Sequence, residues 1–220
     1  MNFAISYSCG KDSALALYRM IKAGHRPVAM ITTVNAKEDR SWFHGVSLDV
    51  IEEISKSLGI PLIACRCEPK KYLEAIEKGL AEAKSMGAQA CVFGDIDIED
   101  HKSWNEQLCL NAGLECILPL WGEDREALIA ESLAAGFKSM IKIVQKAFLD
   151  GSFLGKTLTA ELVEKIKSTG ADACGENGEY HTIVYDGPIF YFPVRLKAGR
   201  QVDFPEYTAI DVQLSPPCAD

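Results

Sequence analysis

The segment Ser8-Cys9-Gly10-Lys11-Asp12-Ser13 gathers two hydroxyls, a thiol, a cation and a carboxylate into six residues. It follows a short apolar run, residues 2–7, and opens residues 11–23, where Leu17, Met20 and Ile21 recur at helical spacing. A loop between a strand and a helix start points unpaired N–H groups outward and favours an anion. Gly10 permits a tight turn and close backbone approach. Ser8 and Ser13 add hydroxyl donors, and Lys11 adds a positive charge. Asp12 suits this setting if it holds a metal or caps the helix. The ligand such a loop fits is a phosphate chain with Mg²⁺. Neither GxxxxGK[ST] nor GxGxxG occurs here, so the loop is neither of those two phosphate-binding turns. Cys9 stands at a helix start, which lowers a thiol pKa and would suit sulfur transfer. The plainer reading is a small residue in a glycine-like place.

Two other segments carry chemistry. Gly94-Asp95-Ile96-Asp97 ends an apolar run, so Asp95 is placed to bind Mg²⁺ or orient a substrate. The competing reading is a helix start capped by Asp97 or Asp100. In Gly175-Glu176-Asn177-Gly178-Glu179-Tyr180-His181, two glycines let the backbone fold around a ligand. The carboxylates of Glu176 and Glu179 suit an ammonium or ammonia nucleophile, or an imidazole, and His181 suits a base near neutral pH. A polar surface turn is the ordinary alternative. His44, after Trp42-Phe43, reads as a phosphate or substrate contact or as a structural histidine. His101 and Trp104 either line the same cleft or serve the helix start. His25 lies in a turn and takes no role, and the four histidines lack zinc-ligand spacing.

These segments need elements to hold them. Residues 27–34, 62–64, 90–93 and 114–118 read as short apolar strands. Between them, Leu48, Ile51, Ile54 and Leu58 share a helical face that Gly59 stops. Leu73, Ile76 and Leu80 mark another helix, and residues 102–112 a third, ending near Gly113. Strand–helix alternation at this pace predicts a doubly wound parallel sheet with right-handed crossovers. Ligands bind such sheets beyond the carboxyl ends of the strands, which puts residues 8–13, 34–46 and 94–104 on one rim. The rhythm changes after Pro119-Leu120-Trp121. Residues 123–133 and 158–168 read as helices, 139–145 as a strand, 175–178 as an irregular loop, and 182–195 as strand-like with a Gly187-Pro188 turn. A boundary near 120 divides the chain into 1–120, a nucleotide-binding part, and 121–220, a smaller α+β substrate-recognition part. The tail, Ser215-Pro216-Pro217, reads as loose.

The chain of 220 residues has a net charge of -8, and its basic runs do not exceed Lys70-Lys71, which disfavours a tightly held nucleic acid. The eight cysteines include no CxxC pair and sit partly in apolar runs, so they read as reduced core thiols. No basic leader and no apolar run of membrane-spanning length occurs, so a soluble cytoplasmic protein is expected, with a homodimer left open.

The first loop resembles the SGGxDS pyrophosphate-loop signature of the ATP pyrophosphatase superfamily, with Cys9 in place of one glycine. Together with Gly94-Asp95-Ile96, Leu118-Pro119-Leu120-Trp121 and Gly175 to Tyr180, the chain resembles the diphthine–ammonia ligase family over roughly residues 1–195. That resemblance implies a Rossmann-like sheet of the adenine nucleotide alpha-hydrolase type. It also implies ATP and Mg²⁺ as cofactors, and release of AMP and pyrophosphate. Ammonia would be the second substrate, and translation elongation factor two, bearing diphthine, the acceptor. It assigns Ser8, Cys9, Gly10, Lys11, Asp12, Ser13 and Gly94 to the nucleotide, with Asp12 on the metal. Lys11, Asp12, Asp95, Glu176 and Glu179 take catalytic roles; His44, Glu176, Asn177, Gly178, Glu179, Tyr180 and His181 face the acceptor. Asn177 stands where the family often has glycine, His181 where it often has an acid, and His44-Gly45 where it often has His-Thr. Two rival readings share the loop: adenylation of a tRNA base or small molecule, and a non-catalytic ATP sensor.

Overall fold

The computed structural model describes residues 1–216. Five strands run parallel: β1 (Asn2–Ser6), β2 (Arg26–Asn35), β4 (Leu62–Cys67), β5 (Ala90–Val92) and β6 (Glu115–Ile117). Their spatial order is β4-β2-β1-β5-β6. A two-residue strand, β3 (Arg40–Ser41), pairs antiparallel with the end of β2, beyond the reach of β1. The order reverses between β1 and β5, and such a switch point leaves a crevice above the carboxyl ends of those two strands.

Alternate side chains of β1 enter opposite cores. Phe3 and Ile5 join the side covered by α1 (Lys11–Lys22) and α2 (Leu48–Leu58). Ala4 joins the side covered by α3 (Tyr72–Ser85) and α4 (Glu99–Ala112), with Ile76, Leu80 and Leu108. A sheet buried on both faces is what continuous apolar strands demand. The helix stops act as expected at Gly59 and Gly113, both in the left-handed conformation with φ of 65° and 64°. Two apolar positions depart: Ile21, at the end of α1, and Leu73, at the start of α3, are exposed.

After residue 120 the chain builds α5 (Arg125–Ala134), β7 (Lys138–Gln145), α6 (Ala160–Ser168), β8 (Tyr180–Asp186), β9 (Leu196–Asp203) and β10 (Tyr207–Leu214). Asp124 caps α5 by accepting from the Ala127 N–H, and Thr159 caps α6 by accepting from Leu162. The four strands form a separate antiparallel sheet in the order β8-β7-β10-β9. The strand-like stretch 182–195 is corrected: β8 ends at Asp186, and the hairpin β9–β10 follows where no strand was expected. β4 also runs three residues beyond the expected 62–64. Within the supposedly loose tail, the Ser215 N–H donates to the Arg195 carbonyl, while Pro217 lies outside the described residues. Seven described cysteines are free thiols, all buried except the partly exposed Cys116. No helix among the described residues is long and apolar enough to cross a membrane.

The two sheets share one continuous hydrophobic cluster, from Phe3 and Leu15 through Phe137 and Val144 to Ile183. Polar clamps reinforce it. Arg19 on α1 donates to the Pro119 carbonyl and pairs with Glu123 and Glu131. Arg125 on α5 joins Asp97, after β5, to Asp172, before β8.

Candidate active site

The loop from Ser8 to Ser13 lies at the switch point, and β8 of the other sheet buttresses it. The Val184 N–H donates to the Cys9 carbonyl at 2.8 Å, and the Lys11 N–H donates to Thr182 Oγ1 at 3.1 Å. Inside the loop, Ser8 Oγ accepts from the Gly10 N–H, Ser8 and Ser13 hydroxyls pair at 3.3 Å, and Ser13 Oγ donates to the Gly10 carbonyl.

Cys9 has φ of 67° and is fully buried. It does fill a glycine-like conformation. Burial pushes its thiol up to about 12, the reverse of what a helix start would do for an open thiol, so the sulfur-transfer reading falls. Gly10 and Gly94 are demanded by space rather than by φ. A Cβ on Gly10 would lie 2.6 Å from the His44 ring, and one on Gly94 2.7 Å from the Ser13 amide nitrogen. The loops after β1 and β5 therefore touch backbone to backbone.

Lys11 is buried, and its ammonium meets both carboxylate oxygens of Asp12 at 2.9 and 2.7 Å. It also stands over the Tyr180 ring. Burial works against its charge, but Asp12 more than compensates and holds the pKa above the ordinary lysine value. Asp95 accepts from Asn105 Nδ2 at 2.8 Å and pairs with His101 Nδ1 at 3.0 Å. Asp97 pairs with Arg125, and no side chain caps α4, so the capping alternative falls.

Above the loops opens a cavity of about 700 Å³. Ser8, Lys11, Asp12, Ser13, His44, Gly94, Asp95, Glu176, Tyr180 and His181 all line it. The expected site residues from four separate segments thus meet in one place. Cys9, Gly10, Asn177, Gly178 and Glu179 are not on its wall. Glu179 is buried, and its carboxylate accepts from the Asp172 N–H, the Asn177 N–H and Asn177 Nδ2. It ties the loop together instead of facing outward. Glu179→Ala leaves three donors unpaired, each costing on the order of 1 kcal/mol or more. The melting temperature is expected to fall by several degrees and the Asn177 amide to exchange faster, with Glu179→Gln retaining part of both.

Glu176 points the other way, into the cavity, with Oε1 3.4 Å from the Ile96 N–H. Burial first, and then the charge of Asp12, raise its pKa to about 7. Because the folded value exceeds the ordinary 4.5, its contribution to stability is present below pH 4.5 and is lost as pH rises through 7. Glu176→Gln should therefore gain thermal stability over the parent between pH 4.5 and 8, and paired melting curves across that range check it.

The two histidines pack with ring centroids 4.8 Å apart. His44 donates through Nδ1 to the Thr182 carbonyl at 2.9 Å, in the neutral tautomer that this contact requires. Burial and the neighbouring His181 lower its pKa to about 3, and burial and Lys11 lower that of His181. Both are neutral bases near pH 7.

Sequence reasoning left part of the wall unread. Trp42 and Phe43, after β2, and Trp104, on α4, surround Tyr72 at the start of α3, with ring centroids 6.2 Å apart. Tyr72 and Tyr7 were not singled out. Among the described residues, the buried Tyr7 hydroxyl and Trp42 indole N–H have no partner.

The diphthamide synthase N-terminal domain family matches residues 1–116, and its C-terminal domain family matches residues 124–213. The chain belongs to the diphthamide synthase family. Curated relatives named diphthine–ammonia ligase are 27% identical in Homo sapiens, over 86% of this chain and 80% of that protein, and 28% in Rattus norvegicus over the same shares. The Danio rerio relative is 27% identical over 89% of this chain and 86% of its own. A solved structure of a predicted tRNA methyltransferase subunit from Methanocaldococcus jannaschii superposes with a TM-score of 0.44 at 19% identity, covering 84% of this chain and 96% of that one. The diphthamide synthase assignment rests on the family matches, and they span both sheets.

Proposed function

We propose that the chain is an ATP-dependent ligase that adenylates an acceptor carboxylate and then amidates it with ammonia. The acceptor is diphthine on elongation factor two. The observation that carries this reading is the meeting of Lys11, Asp12 and Ser13, at a helix N-terminus, with the Glu176 carboxyl across one cavity. Residues 1–120 hold ATP, and residues 121–220 supply the loop that faces the acceptor.

The Asp12 and Ser13 N–H groups, the Ser8 and Ser13 hydroxyls and the Lys11 ammonium hold the β- and γ-phosphates, with Cys9, Gly10 and Gly94 giving the loop its shape. An acceptor carboxylate oxygen attacks the α-phosphorus, and the bond to the β-phosphate oxygen breaks. Charge grows on the departing pyrophosphate, where Lys11 and the helix N-terminus stabilise it. Ammonia then attacks the acyl carbon, and AMP leaves with the electron pair. Glu176, with a pKa of about 7, takes the proton that the attacking nitrogen sheds. Asp95, fixed by His101 and Asn105, orients the nucleophile. Tyr180 and His181 wall the acceptor side, while Glu179, Asn177 and Gly178 frame the loop.

The described residues contain no cluster of three ligands ready for a metal. The donor set still fits Mg²⁺ arriving on the nucleotide, because that ion takes one or two carboxylates and completes its shell with phosphates and water. Asp12 is the carboxylate placed for it, and the ion would supply charge neutralisation on the phosphates.

The test is chromatography of the nucleotide products from Mg-ATP. AMP and pyrophosphate should form in the presence of both ammonium and the diphthine-bearing factor, and Ser13→Ala should abolish this while the melting temperature falls by no more than a few degrees, the cost of its bond to the Gly10 carbonyl. ADP as product, or AMP formed equally without the factor, would overturn the reading.

A further inference from the structure

One buried lysine takes no part in the phosphate chemistry. In the pairing of β7 with β8, Ile141 faces Thr182 and Ile143 faces His181, so Lys142 is the extra residue of a bulge. A bulge re-aims its side chain out of the strand's alternation. Here it sends Lys142 inward, at 3% exposure, next to the equally buried Ile141. The ammonium packs on the turn that carries His44: a Cβ on Gly45 would lie 3.5 Å from Lys142 Nζ.

Lys142 meets no acceptor there. Among the described residues it makes neither a hydrogen bond nor an ion pair. Asp211 of β10, the carboxylate that acts on it, is spent on Arg40 at 2.8 Å. Arg40 also donates to the Gly45 carbonyl at 3.1 Å. Two cationic side chains thus meet at Gly45 with one carboxylate to serve both. Ser47 sits opposite Arg40 in an isolated backbone bridge, and its buried hydroxyl has no partner among the described residues. An uncompensated buried charge is costly, and the amine gives up its proton instead. Burial first, and then Arg40, lower its pKa to about 8 against the pull of Asp211, while the neighbouring His44 and His181 are held neutral.

The neutral amine is a nucleophile with a guanidinium and a free hydroxyl close by. That set suits an electrophile that becomes an anion once it is on the nitrogen. The electrophile must be small and uncharged, because a hydrated anion would have to shed its water to reach so buried an atom. Carbon dioxide meets both conditions.

We propose that Lys142 is a carbamylation site, taking CO₂ to form a carbamate whose carboxylate is held by Arg40 and the Ser47 hydroxyl. The nitrogen lone pair forms the C–N bond, one C=O π pair moves onto oxygen, and the nitrogen proton leaves to water. Arg40 has N–H donors beyond those serving Gly45 and Asp211. The product replaces a cation with an anion near His44 and His181, whose pKa values the Lys142 charge lowers. Carbon dioxide is thereby coupled to the histidine wall of the cavity, and the site stands independently of the ligase reading.

The test equilibrates the full chain with heavy-carbon bicarbonate, follows the label by carbon NMR, and traps carbamates by alkylation with triethyloxonium before peptide mass spectrometry. A trapped ester should form saturably on Lys142 and, at fixed CO₂, increase as pH rises through about 8. Lys142→Met should lack it. Arg40→Met should weaken CO₂ binding about tenfold, the size of one charge-assisted hydrogen bond. Bicarbonate at constant ionic strength should raise the melting temperature of the parent and leave that of Lys142→Met unchanged. If neither variant folds, trapping on the parent chain decides alone. Esters found only on the Met1 amine or on exposed lysines would overturn the proposal. Label that binds but cannot be trapped would also overturn it, because that marks a bicarbonate ion held without a bond. So would a bicarbonate-dependent melting shift that persists in Lys142→Met.

Discussion

Gly94→Ala should abolish nucleotide binding while leaving a folded protein. Its Cβ would lie 2.7 Å from the Ser13 nitrogen and 2.8 Å from the Asp12 carbonyl carbon. Both are backbone atoms, so no rotamer change relieves the overlap. The loop after β1 must move away from β5, at a strain typical of overpacking, about 1–3 kcal/mol. The functional cost is larger, because displacing a reacting group by about 1 Å costs on the order of a hundredfold in rate. The expected signature is a melting temperature lowered by a few degrees with ATP affinity and AMP release reduced at least about a hundredfold. Gly136→Ala is the control. It strains a left-handed turn, φ 92°, with open space around its Cβ, and so should cost stability without touching the site. Titration calorimetry with ATP and parallel melts separate the two effects.

The Lys11–Asp12 pair yields the second large effect. Asp12→Ala leaves a buried ammonium without its partner, and breaking such a pair costs about 3 kcal/mol. For a chain of this size that is roughly 6–12 °C in melting temperature. Lys11→Met removes the charge and fits the same apolar surroundings beside Tyr180, so it should fold well. The double substitution should regain most of the stability lost by Asp12→Ala. Activity should behave differently: all three variants should lose pyrophosphate release, because the charge on the leaving group loses its stabilisation. Recovery of stability without recovery of turnover marks the pair as built for the ligand.

The centre of the first sheet was legible because β1 and β5 are buried on both faces, and their apolar runs say so directly. The helix ends at Gly59 and Gly113 were legible because a left-handed stop favours glycine. The β9–β10 hairpin was not. β9, Leu196–Asp203, is exposed along nearly its whole length and carries no buried face to announce it, although Thr208, Ile210 and Val212 of β10 do alternate inward. Within the site, the loop after β1 was readable as a contiguous motif. The aromatic corner was not, because Trp42, Tyr72 and Trp104 meet only through the fold. Glu176 and Glu179 show the same limit at short range. They share a residue type and a loop, yet one lines the cavity and the other accepts three N–H groups from its own turn. The turn geometry at Gly175 and Gly178, with φ of 67° and 89°, decides between them.

The most direct measurement supplies ammonium labelled with heavy nitrogen, Mg-ATP and diphthine-bearing elongation factor two, and reads the factor by mass spectrometry. The account predicts label in the modified histidine, matched in amount by AMP, and none with Ser13→Ala. AMP release with the label absent from the factor would contradict it.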